Sequence, residues 1–467
     1  MPNLLLSKLL NAKILFFLFL ASLFFPVRHI FLTPEAFQTG AFSDFTSIPL
    51  YLSDILLFST VLACLLPRGG EDSPRDTRTS LLQTTNYPLL TLILWLFLGI
   101  LYHFSSLTSQ NWFFFAKFLE LIVAYGTTAL LFSKTDIKGL FIKFFVIFSS
   151  FESLLALWQF RIQTSVGGVL HKLGESVLSP DLPGVAKIVS SGTTLIRGYG
   201  TFPHPNLLSA FLMVGVLMAL YLLLRSTDLK YRIIYSLAIL INILGLTVTF
   251  SRASYLALAI GLIIFFGFIF WRHSEGVQPT EGYQIRNSLG GLRLNPLIIV
   301  LFSIFISFLI FRPYLSTRAT ITDTAATERA LYSKIGLQMV KQNPIFGVGV
   351  GESVLKMNQY SQVNLLPWQV QPIHNYFLLA AAELGIPGAL ILIFIFLWHL
   401  KSLILNLKFK FSPYSLLLTS LLLSFLILML FDHYFYTLQQ TQMLLWIILG
   451  VIGSEIKNPS HEGSLKS

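Results

Sequence analysis

The sequence predicts an all-α integral membrane protein of about 12 transmembrane helices, with a long extracytoplasmic loop carrying an amphipathic helix. Three observations predict it. Hydrophobic residues make up 54% of the 467-residue chain and charged ones 11%, with a mean hydropathy of +0.73, whereas soluble domains carry about 25% charged residues. Apolar runs of about 20 residues, the length that crosses a bilayer, recur along the chain. The Lys and Arg residues behind the net charge of +11 sit mostly in connectors between those runs. That is the positive-inside pattern of a membrane protein, so no nucleic acid partner is expected. The single Cys64 excludes internal disulfides and any Cys-based metal site.

The expected spans are Ile14–Val27, Pro49–Leu66, Tyr87–Phe104, Trp112–Phe132, Leu140–Phe160 and Asn206–Leu224. Ile233–Phe250, Ala253–Trp271, Pro296–Phe311, Asn375–Leu400, Tyr414–Phe431 and Thr441–Gly453 follow. Lys8 and Lys13 precede the first, as in a signal peptide, but no small-x-small cleavage site follows it, so it reads as a retained helix. Placing the N-terminus inside puts Arg68, Arg75, Arg78, Lys134, Lys138, Arg225, Lys230 and Arg232 in inner connectors. Arg272, Arg286, Arg293, Lys401, Lys408, Lys410, Lys457 and Lys466 fall on the same side. Both termini are then cytoplasmic. The polar stretches Arg68–Asn86 and Arg272–Asn295 read as solvated cytoplasmic loops, and the tail after Ser454 as disordered.

Two outer segments, Arg161–Pro205 and Arg312–Ile373, keep Lys and Arg on the disfavoured side. The second is long for a connector, and Ala326–Gln342 within it has Leu331, Ile335, Met339 and Val340 near one helical face; Asn343–Pro344 stops it. The chain therefore divides into N-terminal helices and outer loop (1–205), central helices (206–311), extracytoplasmic loop (312–373), C-terminal helices (374–453) and tail (454–467).

Four outer positions stand out: Arg197 in "RGYGTFPHPNLLSAFL", Arg252 in "TFSRAS", Arg329 in "TERALYSKIGLQMVKQNPIFGVGVGE" and His374. Alone, each Arg reads as a side chain snorkelling to lipid phosphate, and His374 as an interfacial cap. Topology derived without them nevertheless places all four on one face. Guanidinium groups bind phosphate or pyrophosphate bidentately, a His can take a proton from an attacking hydroxyl, and fixed cations stabilise a departing pyrophosphate. No metal is expected, because the outer carboxylates Asp323, Glu328, Glu352 and Glu383 form no ligand motif. Gly347, Gly349 and Gly351 read as turn glycines. Lys117 and Glu120, three residues apart, neutralise each other, and Asp54 and Glu152 take structural roles. Asp432 and His433 either line the same cavity or sit in water, and water is the preferred reading. Gly385, Pro387 and Gly388 should kink their helix, and Glu383 ties that kink to a neighbour.

The motifs "RGYGTFPHPN", "SRASYLALAIG", "ERALYSKIGLQMVKQNPIFGVGVGE" and "HNYFLLAAAELGIPG" occur in the order seen in the O-antigen ligase and O-antigen polymerase superfamily, which the chain resembles from about Arg197 to Gly388. The resemblance implies a metal-independent glycosyltransferase of the bacterial inner membrane. Such an enzyme needs no cofactor and takes glycan from a polyprenyl pyrophosphate on the outer face. It implies that Arg197 and Arg252 bind the pyrophosphate with Arg329 as a further contact, that His374 is the acceptor-activating base and that Asn375 holds its orientation. Tyr332 stands where the family often has Trp. The acceptor is a glycan, lipid A core or protein, so ligase, repeat-unit polymerase and protein glycosylation all stay open, with ligase preferred. Envelope-polysaccharide assembly proteins are possible partners. A membrane transporter is the alternative of another class; it would show inverted repeats and charge at mid-bilayer, and neither is evident in the sequence.

Overall fold

The computed structural model describes residues 12–37, 40, 42–65, 87–190, 192–274, 295–320, 324–409 and 412–457. The described chain is helical, with two short hairpins. Its elements are α1 (Ala12–Phe24), β1 (Arg28–Phe31), β2 (Ile48–Tyr51), α2 (Leu52–Leu65), α3 (Tyr87–Tyr102), α4 (Ser109–Lys134) and α5 (Lys138–Ile162). Then come β3 (Lys187–Ser190), β4 (Thr193–Ile196), α6 (Pro205–Arg225), α7 (Leu229–Val248), α8 (Arg252–Ser274) and α9 (Pro296–Thr320). The C-terminal part holds α10 (Thr324–Gln342), α11 (Ser353–Tyr360), α12 (Tyr376–Phe409), α13 (Pro413–Phe431) and α14 (Gln439–Lys457).

Every expected apolar run contains a helix. Among the described residues, eight helices are long and apolar enough to cross a membrane, and α1, α2 and α3 are shorter apolar helices of 13, 14 and 16 residues. The expected second span loses its first residues because Ile48–Tyr51 pairs antiparallel with Arg28–Phe31, Arg28 facing Tyr51. The whole Arg68–Asn86 stretch, most of Arg272–Asn295, Asp323 and the end of the tail lie outside the described residues.

Local sequence sets the helix ends. Thr108 caps α4 through its hydroxyl and Asn111 answers with its side-chain carbonyl, a reciprocal pair that satisfies two end groups. Pro205 and Pro413 open α6 and α13 behind the caps His204 and Ser412. Helix α6 is apolar all round and accordingly central: it packs against α5, α7, α8 and α13.

Short connectors make successive helices antiparallel, so loops gather at two opposite ends. At one end Lys138 pairs with Glu455 at 2.6 Å and lies over the Tyr414 ring. The other end carries both hairpins, α11 and the residues around His374.

Helix α12 departs from the single expected span. The Phe377 and Phe396 ring centroids are 6.4 Å apart, whereas 19 residues of straight helix would separate them by about 28 Å. The chain folds back at Gly385, whose φ of 74° and ψ of 172° leave helical space, giving a short arm from Tyr376 to Leu384 and a long arm beyond it. The expected break is there, sharper than a kink.

Candidate active site

The loop "RGYGTFPHP" is held from below by α5. Gln159 accepts from the Tyr199 and Gly200 N–H groups and donates to the Gly200 carbonyl. Glu152 accepts from Thr201 N at 2.8 Å and from its hydroxyl at 3.0 Å. Gly200 has φ 62° and packs so closely on Glu152 that a Cβ would overlap the carboxylate. A loop fixed in this way presents Arg197 and Asn206 at set positions. Arg197 is buried; its Nε donates to Thr249 O at 2.5 Å and an Nη donates to Asn206 Oδ1 at 2.7 Å. Asn206 then donates from Nδ2 to Asp432 Oδ2 at 2.9 Å. A polar relay thus joins Arg197 to the end of α13.

His374 stands at the other side of Asp432. Its Nδ1 lies 2.9 Å from the Pro372 carbonyl. A carbonyl only accepts, so the neutral ring carries its proton on Nδ1 and leaves the Nε2 lone pair available. Tyr332, on α10, stacks on the imidazole at 5.3 Å with planes 12° apart, and His433 meets it edge-on at 4.8 Å. Nδ1 of His433 is 2.7 Å from the Thr437 hydroxyl. The expectation that Asp432 and His433 sit in water is overturned: both are 6% exposed. They lie where the ends of α6, α12 and α13 meet rather than beyond the bundle.

The remaining positions are distributed around this core. Arg329 is half-buried one turn before Tyr332 on α10, and its charge acts on His374, His204, Asp432 and His433. Helix α10 buries Tyr332, Ile335 and Met339, while Leu331 and Val340 are half-buried beside them. Arg252 is the exposed first residue of α8, three residues beyond Thr249, the acceptor of Arg197. Asn375 accepts from Leu378 N at 2.9 Å and donates to Leu430 O at 3.0 Å, so it fixes the start of α12 against α13. The His374 ring itself is held by Pro372 and Tyr332.

Glu383 supports the site without belonging to it. Its carboxylate accepts from Gly351 N at 2.8 Å and from the Ser353 hydroxyl at 2.6 Å. Val348 N and Gly349 N bond the Ala382 and Glu383 carbonyls freed by the break, and Ile386 N bonds Pro344 O. The glycine-rich loop therefore replaces the helix's own hydrogen bonds, as buried irregular backbone requires. Gly347, Gly349 and Gly351 have φ of 67°, 107° and 77°, which makes them turn glycines. The Lys117–Glu120 pair has a third member: Lys117 Nζ lies 2.8 Å from Glu120 and 2.9 Å from Asp54. A polar cleft bordered by Arg28, Asp44, Tyr51 and Lys117 reaches Pro372 and Thr437.

Burial and the Arg329 charge lower the pKa of His374 below its usual 6.5, with Asp432 opposing them. His433 and His204 are pushed down to about 3, chiefly by burial. Burial alone would raise Asp432, but the surrounding imidazoles and Arg329 hold it below the ordinary carboxylate range. An ionised carboxylate thus faces a neutral His374 with a free Nε2, the arrangement of an oriented general base. His374, Asp432 and His433 also each offer one ligand atom, all within 4.8 Å of one another, so their donors could hold a metal ion. Sequence reasoning looked for ligands elsewhere, because nothing local pairs positions 374 and 432. The one available signal was topological: both end spans on the same face.

Fold and site together define a multi-pass membrane protein with a histidine–carboxylate centre flanked by arginines. Residues 237–393 match the family model described as O-antigen ligase. The match includes Arg252, Arg329, His374 and Asn375; Arg197, Asn206 and Asp432 lie outside it. Comparison with curated proteins finds no match.

Proposed function

We propose that the protein transfers glycan from a polyprenyl-pyrophosphate donor to a glycan or glycolipid acceptor at the outer face of the bacterial inner membrane, with both termini cytoplasmic. The observation that carries this reading is the free Nε2 of His374, set by the Pro372 carbonyl beside Asp432 in a centre flanked by arginines. His374 Nε2 takes the proton of the acceptor hydroxyl as its oxygen attacks the anomeric carbon. The bond from that carbon to the pyrophosphate breaks, and its electron pair leaves on the phosphate oxygen. Arg252 and Arg329 meet the phosphates directly, while Arg197, which bonds Thr249 and Asn206, adds fixed charge from behind. Asp432 stabilises the imidazolium that forms. The Arg329 charge opposes a cation at the same centre, which favours chemistry without a metal.

The test uses protein in lipid nanodiscs with a polyprenyl-pyrophosphate oligosaccharide, candidate acceptors and chelator. His374→Ala should still bind donor but lose transfer by about 10²–10⁴-fold, the usual contribution of a general base. The productive acceptor distinguishes ligase, repeat-unit polymerase and protein glycosylation. Normal turnover by His374→Ala would remove the base assignment. Activity that disappears with chelator and returns with a divalent metal would replace the metal-free mechanism.

A further inference from the structure

His374 and His433 are held in the same way, although only one of them is needed as a base. His374 gives its Nδ1–H to the Pro372 carbonyl. The Thr437 hydroxyl donates to the His433 carbonyl at 3.4 Å, so its oxygen accepts the Nδ1–H of His433 at 2.7 Å. Both rings are therefore fixed as the tautomer whose Nε2 is a bare lone pair. The His433 Nε2 lies 3.8 Å from Asp432 Oδ1, outside hydrogen-bonding reach. Asp432 is itself anchored, Oδ2 by the Asn206 amide and Oδ1 by the His433 backbone N–H. Two lone pairs and a carboxylate thus converge, and one ligand atom from each residue lies within 4.8 Å of the other two. A metal-binding imidazole almost always donates its other ring N–H to an oxygen, which fixes the tautomer and orients the ring. Both histidines meet that condition, and His433 takes no step in the transfer proposed above.

We propose that His374, Asp432 and His433 form a Zn²⁺ site whose occupancy switches transfer off, an inference that rests on the glycan-transfer reading above. Two imidazoles and one carboxylate are a ligand set of open, three-ligand zinc centres. A tetrahedral ion spaces its ligand atoms about 3.3 Å apart, so the set has to draw in by at most about 1.5 Å from the 4.8 Å limit. Binding displaces no proton, because neither Nε2 carries one. Inhibition follows from the atoms used. Zn²⁺ on His374 Nε2 occupies the lone pair that takes the acceptor's proton, and Zn²⁺ on Asp432 cancels the charge that stabilises the imidazolium. Arg329, whose charge acts on all three residues, limits the affinity. The ion is therefore a reversible occupant and not a resident cofactor.

The test uses the full chain without a histidine tag, stripped with chelator and reconstituted in nanodiscs. Co²⁺ serves as the probe, because its visible d–d bands report a four-coordinate site. Wild type should bind one Co²⁺ and release it to Zn²⁺. Zn²⁺ should suppress transfer, and excess chelator should restore it. His433→Ala removes a ligand, and Thr437→Val removes the oxygen that orients that ligand. Each should raise the Zn²⁺ concentration needed for inhibition, relative to its own uninhibited rate, by about 10–100-fold. Arg329→Ala should bind Co²⁺ more tightly. His29→Ala, an exposed histidine outside the centre, should change neither binding nor inhibition. Binding that survives both His433→Ala and Thr437→Val overturns the proposal, as does bound Zn²⁺ that leaves transfer untouched. Transfer that needs Zn²⁺ overturns it too, and removes the metal-free mechanism with it. Full transfer by a chain that binds no metal would sink the zinc site alone. Co²⁺ bands that are lost in His433→Ala, in a protein that transfers to no acceptor, would support the site and sink the catalytic reading.

Discussion

Three charged or titratable side chains set the protonation of the centre, and their effects have opposite signs. His374 must be neutral to accept a proton, so activity falls as pH drops through its pKa, which burial and Arg329 place below 6.5. The acidic limb of kcat/KM, which reports the free enzyme, should accordingly lie below 6.5. Arg329→Ala removes a positive neighbour, raises the His374 pKa and moves that limb to higher pH. Asp432→Asn removes a negative neighbour and moves it to lower pH. It also reduces kcat, because the imidazolium loses its counter-charge and Asn206 loses a charged acceptor. A limb that stays in place in both variants would mean that another group is the base. At this scale the sequence was informative about cations and poor about their partners. Arg197, Arg252, Arg329 and His374 were singled out because topology derived without them puts all four on one face. Asp432 was equally conspicuous, but its hydrogen bond to Asn206 spans 226 positions, and no local pattern reports so distant a contact.

Among the elements, α12 and its glycine-rich partner loop are the most constrained. Gly385 holds a backbone conformation that other residues rarely adopt, and a Cβ there would overlap the Ile345 carbonyl. Gly385→Ala should cost about 1–3 kcal/mol from conformation alone, with the overlap adding to it, and appear as a lower melting temperature in detergent. Unchanged melting would show that the fold-back tolerates a side chain. Helices α2 and α4 are joined by the Asp54–Lys117–Glu120 cluster, whose side chains are 12%, 10% and 19% exposed. Lys117→Met strands two carboxylates and should destabilise by about 3–5 kcal/mol, as breaking a buried pair does. Adding Asp54→Asn and Glu120→Gln should recover much of that loss; no recovery would argue against a charge effect. The Gly385–Pro387–Gly388 signal was legible because these residues disfavour helix in any context. The angle of the break was not, since the docked loop sets it.

For the whole molecule, the disposition of loops is the testable quantity. In a chain with Cys64 replaced, Asn364→Cys should react with an impermeant maleimide from outside intact spheroplasts, and Thr227→Cys should react only after permeabilisation. Both positions are exposed. The reverse result would put the His374 centre on the cytoplasmic face and remove the outer-face reading.

Hydropathy alone determined that the chain is helical, where its helices lie and which residues gather at one end. It could do so because the bilayer requires each crossing segment to satisfy its own backbone and be apolar, and both demands are written locally. Only the tertiary structure decided that Asp432 and His433 join His374 and that Glu383 clasps the glycine-rich loop. Those outcomes depend on which helices pack together and how sharply α12 turns, and such contacts come from shape and hydrogen bonding between segments far apart in the chain.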